Sequence, residues 1–219
     1  CNICVEKGLS WDQLMDTDDE TLIRMYLTKA IDLQCLNYSN VECKHQDEYI
    51  SRIIKIIEGK SIEDLVSIIK HGDSFEPVTQ ENIPQISNLD DAIKNVNALL
   101  DIVNQEMTYE QVGFYLERDN GRSKNGKEPN KVAKRKYGEN HCKMAALLDF
   151  VYISKNNVKT TVVESTMGVR YKALSDEMKE NVAIKLCLRI PIIRNYYIEG
   201  KKCETITRDL GILSESTQK

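Results

Sequence analysis

The sequence predicts a mainly α-helical protein with one small antiparallel β-hairpin. Apolar residues recur at helical spacing through most of the 219 residues, and one pair of β-branched runs flanks a turn-forming Asn-Asn. A polar stretch with two prolines interrupts the apolar pattern at about residues 72–87. We therefore expect a helical N-terminal domain over residues 1–75, a second domain over residues 88–174, and a helical extension over residues 175–219.

Helices are expected throughout the N-terminal domain. The first spans about residues 18–36 behind an aspartate N-cap, and the second runs from about Asp47 to a stop at Gly59. The third begins at Ser61-Ile-Glu-Asp64, a capping-box pattern in which aspartate takes the position that Glu or Gln normally holds. Each helix presents one apolar stripe, which predicts packing in a hydrophobic core rather than a cofactor site.

The second domain is expected to contain three helices. One covers about residues 88–105, and the capping-box pattern Thr108-Tyr-Glu-Gln111 begins a second, short helix. The third begins at Val132 or Tyr137 and ends near residue 150.

A hairpin is expected to follow these helices. Its strands are Val151-Tyr-Ile153 and residues 158–163, joined by Ser154-Lys-Asn-Asn157, because asparagine tolerates the left-handed backbone that such turns need. The order helix, helix, helix, hairpin predicts a winged helix-turn-helix.

The C-terminal extension is expected to begin with an amphipathic helix over about residues 175–197. Pro191 must kink or break this helix near Arg189 and Ile190. A further short helix is predicted over residues 205–211, so the extension has the pattern of the beginning of a second helix-turn-helix.

One basic stretch lies in an otherwise acidic chain. Between Arg118 and Lys136 there are eight basic residues and two acidic ones, a local charge of +6, whereas the whole chain carries −4. Such segregated charge is typical of a surface that contacts a polyanion, although a solvated loop would have the same composition. The stretch leads into the third helix of the predicted winged helix, and this position favours contact with DNA.

The third helix of a winged helix is the element expected to enter the major groove. Lys136, Asn140 and Lys143 share one side of it at helical spacing, and we expect these three side chains to contact base edges. His141 and Met144 are expected to belong to the core. The residues expected to contact phosphates lie in the basic stretch and on the hairpin, and they are Lys124, Lys127, Lys131, Lys134, Arg135, Lys155 and Lys159.

Three segments of the second domain share their pattern with a known family. They are Tyr109-Glu-Gln-Val-Gly-Phe-Tyr-Leu116, Tyr137-Gly-Glu-Asn-His-Cys-Lys-Met-Ala-Ala-Leu-Leu-Asp149 and Ser165-Thr-Met-Gly-Val-Arg-Tyr-Lys-Ala-Leu174. Together with the C-terminal extension, they resemble the winged-helix DNA-recognition domains of type II restriction endonucleases, in particular the type IIS, FokI-like enzymes. The resemblance implies sequence-specific binding of double-stranded DNA in a prokaryotic cytoplasm. It also implies Mg²⁺-dependent cleavage by a separate nuclease domain or subunit, with no cofactor in this chain, and it leaves a homodimer open.

Two other functions remain open. A Mg²⁺-dependent nuclease site would need an acid followed by Glu-x-Lys on adjacent strands, and the nearest candidates are Asp149 and Glu164, with Thr166 where lysine is expected. The acidic, helical N-terminal domain is the natural place for a protein-interaction module. The sequence contains no phosphate-binding loop and no Ser-His-Asp pattern, which disfavours nucleotide hydrolysis and acyl transfer.

Seven scattered cysteines indicate reduced thiols and an intracellular, cytoplasmic protein. Cys1 and Cys4 with Cys43 and His45 are of the right types for zinc, but the Cys-x-His spacing disfavours a zinc site, and no metal is expected. No apolar run is long enough to span a membrane and no signal peptide is evident, so we expect no membrane partner. The beginning at a cysteine and the abrupt end at Lys219 are typical of an excised fragment of a larger protein.

Overall fold

The computed structural model is mainly helical, with one small three-stranded antiparallel sheet in the part of the chain that it describes. That part consists of residues 14–29, 44–72, 77–85, 88–119, 130–155 and 159–200. Contacts divide the chain into two units, one formed by Cys1–Ile83 together with Asp176–Lys219 and the other by Pro84–Ser175. The predicted fold class, mainly α with a small antiparallel β element, is confirmed.

The first unit begins with the helices α1 (Asp19–Leu27), α2 (Lys44–Gly59) and α3 (Ile62–Lys70). Their buried side chains are the apolar stripes expected from the sequence. The predicted capping box of α3 is confirmed, because Asp64 N donates to Ser61 Oγ at 3.0 Å and Ser61 N donates to Asp64 Oδ2 at 3.2 Å.

Side-chain caps also begin the first three helices of the second unit, which are α4 (Leu89–Ile102), α5 (Tyr109–Asp119) and α6 (Lys131–Leu147). The predicted capping box of α5 is confirmed by bonds from Thr108 N to Gln111 Oε1 at 2.8 Å and from Gln111 N to Thr108 Oγ1 at 3.3 Å. Asn130 Oδ1 accepts from Ala133 N at 2.8 Å and so begins α6 at Lys131. The basic residues from Lys131 to Lys136 are therefore helical.

The sheet of the second unit has the strands β1 (Met107–Thr108), β2 (Val151–Lys155) and β3 (Thr160–Glu164). The strand β3 lies in the middle and pairs antiparallel with both neighbours, so the order is β1-β3-β2. The predicted pairing of the two longer strands is confirmed, with Tyr152 opposite Val163. The predicted turn began too early, because Ser154 and Lys155 still pair with β3 as part of β2. The strand β1 is too short to show an alternation of apolar and polar residues, so it was not predictable from the sequence.

A short helix, α7 (Thr166–Lys172), ends the second unit. Ser165 is its N-cap, and the Ser165 hydroxyl accepts from Gly168 N at 2.9 Å while it donates to the backbone oxygen of Asp149. Gly168 lies against the chain before β2, where a Cβ would come within 2.2 Å of Phe150 O. These contacts attach α7 to the end of α6.

The C-terminal segment returns to the first unit with α8 (Asp176–Leu186), a 3₁₀ turn (Cys187–Arg189) and α9 (Pro191–Glu199). The break predicted at Pro191 is confirmed, and the proline takes the first position of α9, where its missing N–H costs nothing. The short helix predicted over residues 205–211 and the second helix-turn-helix lie outside the described residues.

Buried cations join this segment to the N-terminal helices. Arg189 donates to Tyr26 O at 2.7 Å and Arg194 donates to Leu27 O at 2.9 Å, so both guanidinium groups bind the last carbonyls of α1. Lys185 binds the carbonyl oxygen of Ile57 at 2.9 Å, near the end of α2. The helix predicted to continue to residue 36 therefore ends at Leu27, and the predicted extension belongs with the first unit.

Candidate nucleic-acid interface

Two glycines bring the backbones of α5 and α6 into direct contact. A Cβ on Gly138 would come within 1.9 Å of Tyr109 O, and a Cβ on Gly113 would come within 1.9 Å of Lys134 O. Both glycines were quoted in the sequence motifs, but a single sequence does not show that they face each other. Because the contact fixes the rotation of α6, it decides which of its side chains are exposed.

The buried side of α6 is formed by Gly138, His141, Cys142, Met144 and Ala145. The prediction that His141 and Met144 belong to the core is confirmed. His141 Nδ1 lies 2.9 Å from Tyr137 O, and its ring packs against the Tyr137 ring at a centroid distance of 4.3 Å. Burial raises the pKa of the Cys142 thiol, which therefore stays protonated and does not act as a nucleophile.

The exposed side of α6 is basic at its N-terminal end. Lys131, Arg135 and Lys136 are exposed and Lys134 is half-buried, while the first turn contains no acidic residue. The helices α1 to α5 and α8 all have at least one acidic residue in the first turn. Because the helix dipole is positive at this end, a cation in the first turn, such as Lys131, is disfavoured by roughly 0.3–1 kcal/mol. An anionic partner would remove that cost.

Glu139 lies between two of the residues predicted to contact bases. Its carboxylate is 2.6 Å from Lys143 Nζ and 3.6 Å from Lys136 Nζ. The hydrogen bond from Lys143 and the charges of both lysines lower the pKa of Glu139, which is therefore ionised at neutral pH. Glu139 was not among the predicted site residues, although its spacing of three and four residues from the lysines was a readable signal.

Asn140, the third residue predicted to contact a base, is half-buried. Its Oδ1 atom is fully buried and has no hydrogen-bond partner among the residues that the structure describes. The side chain would have to rotate before this oxygen could reach a base edge. Lys136 and Lys143 are exposed and need only leave Glu139.

The residues predicted to contact phosphates are partly held by neighbours. Lys131 Nζ lies 3.3 Å from a Glu110 carboxylate oxygen, and Lys134 Nζ lies 5.0 Å from the centre of the Phe114 ring. On the hairpin, Lys155 is exposed, and Lys159 is 4.0 Å from Glu106. Exposed pairs of this kind are weak, so an anionic ligand can displace them. Lys124 and Lys127 lie outside the described residues.

Net charge also separates the second unit from the remainder of the chain. Residues 84–175 contain 14 basic and 11 acidic residues, a formal charge of +3, whereas the whole chain carries −4. The basic charge of this unit is concentrated at and before the beginning of α6. The acidic excess therefore belongs entirely to the other unit.

The residues of the alternative nuclease site have local structural partners. Asp149 is 2% exposed and adopts a left-handed backbone (φ 68°) just after α6. Glu164 ends β3 and pairs with Lys172 of α7 at 2.9 Å. Within the described ranges, no group of three His, Cys, Asp or Glu side chains is placed to hold a metal ion. Of the zinc candidates, the three cysteines and the side chain of His45 lie outside the described part.

Comparisons with known proteins identify no relative of this chain. No family model, curated protein or solved structure matches the chain. No helix in the described ranges is both long enough and apolar enough to cross a membrane.

Proposed function

We propose that residues 84–175 form a winged helix-turn-helix that binds double-stranded DNA in a sequence-specific manner, with α6 in the major groove. The observation that carries this proposal is the exposed, basic N-terminal half of α6. Four cations lie in its first two turns, and its first turn contains no acidic residue. DNA phosphates would stabilise this arrangement, which is unfavourable in the free protein.

The connectivity of the second unit supports the winged helix. Its elements follow the order helix, short strand, helix, helix and two-stranded hairpin, and the short strand β1 pairs with the last strand, β3. In this arrangement the hairpin is the wing, and Lys155 and Lys159 near its turn would contact phosphates, with Lys159 leaving Glu106. The helix α5 supports α6 through the Gly113–Gly138 contact.

The proposed chemistry divides the cations into two roles. Lys131, Lys134 and Arg135 lie near the beginning of α6 and bind phosphates, which positions the helix without selecting a sequence. Lys136 and Lys143 lie farther along the exposed side and donate to base edges. As the target-recognition part of a restriction endonuclease, the chain would deliver a Mg²⁺-dependent nuclease domain or subunit to its site.

Binding of the full chain to duplex DNA tests this proposal. Electrophoretic mobility shifts with a pool of randomised duplexes should show a complex with the wild type. The double variant Lys134→Ala/Arg135→Ala should bind all duplexes more weakly, by on the order of tenfold. A matched control is Lys55→Ala/Lys70→Ala, which removes two exposed cations from α2 and α3 in the other unit.

The control variant distinguishes binding at α6 from binding that depends only on net charge. If both double variants lost the same affinity, binding would follow net charge and not α6. If the wild type failed to bind duplex DNA even at low salt, the proposed function would be wrong, and the protein-interaction alternative would take its place.

A further inference from the structure

Glu139 is an acid at the centre of a surface that otherwise carries cations. Lys136 lies three residues before it and Lys143 four residues after it, so both lysines reach its carboxylate along the exposed side of α6. The Glu139 side chain is 24% exposed, whereas those of Lys136 and Lys143 are 61% and 46% exposed. The carboxylate therefore lies at the helix surface, and the two longer lysine side chains can extend beyond it once they leave it.

A carboxylate in this position has a restricted chemistry. When ionised it only accepts hydrogen bonds, and its charge repels phosphate. In the major groove, the amino group of cytosine is a donor that suits Glu, while O6 and N7 of guanine are acceptors that suit Lys. A C·G base pair presents both kinds of group side by side, which matches a carboxylate flanked by ammonium groups.

We propose that Glu139 determines the sequence specificity of α6: its carboxylate accepts from the amino group of a cytosine, while Lys136 or Lys143 donates to the guanine of the same base pair. This inference rests on the proposed DNA binding. The lowered pKa of Glu139 agrees with it, because the carboxylate stays ionised at neutral pH. The same charge weakens binding to sequences in which the carboxylate faces no donor.

Glu110 provides a matched control on the neighbouring helix. It belongs to α5 and lies 3.3 Å from Lys131, one of the residues assigned to phosphates. The variants Glu139→Ala and Glu110→Ala each remove one carboxylate beside a cation. Electrostatics alone would therefore raise the affinity for all sequences in both variants. The two variants differ in their discrimination between sequences only if Glu139 contacts a base directly.

The experiment begins with selection of binding sites from a randomised duplex pool by the full wild-type chain. Dissociation constants are then measured for the selected duplex and for duplexes in which each C·G pair is replaced. For one C·G position, the wild type should discriminate by roughly tenfold, and Glu139→Ala, which removes the accepting oxygens, should lose that discrimination. Glu110→Ala should keep it. Selection repeated with Glu139→Ala should return sites in which that position is no longer fixed.

Two results would overturn the inference, and they differ from each other. Equal discrimination by wild type, Glu139→Ala and Glu110→Ala would show that Glu139 contacts no base, while DNA binding itself would stand. Absence of any complex between the wild type and the duplex pool would remove the proposed function and this role together. Circular dichroism of each variant verifies that the helices remain folded.

Discussion

The contact between α5 and α6 predicts a large effect of one methyl group. In Gly138→Ala, the new Cβ would lie 1.9 Å from Tyr109 O, 2.7 Å from Gly113 N and 2.9 Å from the carbonyl carbon of Tyr109. All three atoms belong to the backbone of α5, so rotation of a side chain cannot relieve the overlap. The two helices must separate, or α6 must turn.

The magnitude follows from two opposing contributions. Alanine in place of glycine favours a helix by about 1 kcal/mol. Overpacking against rigid neighbours costs roughly 3 kcal/mol or more, because backbone atoms must move. We therefore expect Gly138→Ala to lower the free energy of unfolding by about 2 kcal/mol or more, which corresponds to a decrease in Tm on the order of 10 °C for a unit of this size.

Urea denaturation followed by circular dichroism measures this change. The control is Gly59→Ala at the end of α2, where nothing lies within 4 Å of the new Cβ, and we expect its stability to change by less than about 1 kcal/mol. A Gly138→Ala midpoint equal to that of the wild type would refute the reasoning. It would mean that α5 and α6 do not cross at these glycines and that the exposed face of α6 is misassigned.

Three further outcomes can be measured by denaturation. Ser165→Ala removes the hydroxyl that bonds Gly168 N and Asp149 O, so unfolding should become easier by about 1–2 kcal/mol, and an unchanged midpoint would contradict this. Arg194→Met leaves Leu27 O without its charged donor in a buried site and should cost roughly 2–3 kcal/mol; a neutral effect would show that the guanidinium does not cap α1. Glu139→Gln should lower stability at neutral pH by less than about 1 kcal/mol. Because the folded pKa of Glu139 is lowered, its contribution is present above the ordinary pKa of glutamate and should disappear as the pH falls through the lowered value; a difference independent of pH would contradict the ion pairs.

Local patterns in the sequence predicted local structure well. The capping boxes at Ser61 and Thr108 each involve residues three apart, so the four-residue motif contains the whole interaction. The break at Pro191 follows from the missing N–H of one residue. The hairpin follows from β-branched runs around a turn.

Interactions between distant segments were not predictable in the same way. Gly113 and Gly138 lie close together only in the folded chain, where each leaves room for the backbone of the other helix. The charge of Arg189 and Arg194 gives no sign of burial in the sequence, yet both are buried at the end of α1. Long cationic side chains can bind helix carbonyls from anywhere in the sequence, and here they contribute contacts between the C-terminal segment and the first helices of the same unit.

The candidate interface was partly predictable. The charge of the basic stretch and the core position of His141 could be read from composition and spacing. The half-burial of Asn140 could not, because it depends on how α6 lies against its neighbours. The pairing of Glu139 with both lysines was available from helical spacing, but the prediction followed only the cations.

The salt dependence of duplex binding tests the central claim, that the basic residues around α6 and the hairpin contact DNA phosphates. Seven residues are assigned to phosphates, so a plot of log Kobs against log salt concentration should have a slope of roughly −6. Lys134→Ala/Arg135→Ala should reduce the magnitude of that slope by roughly 2. Binding that does not weaken with salt, or a slope unchanged in this double variant, would contradict the account.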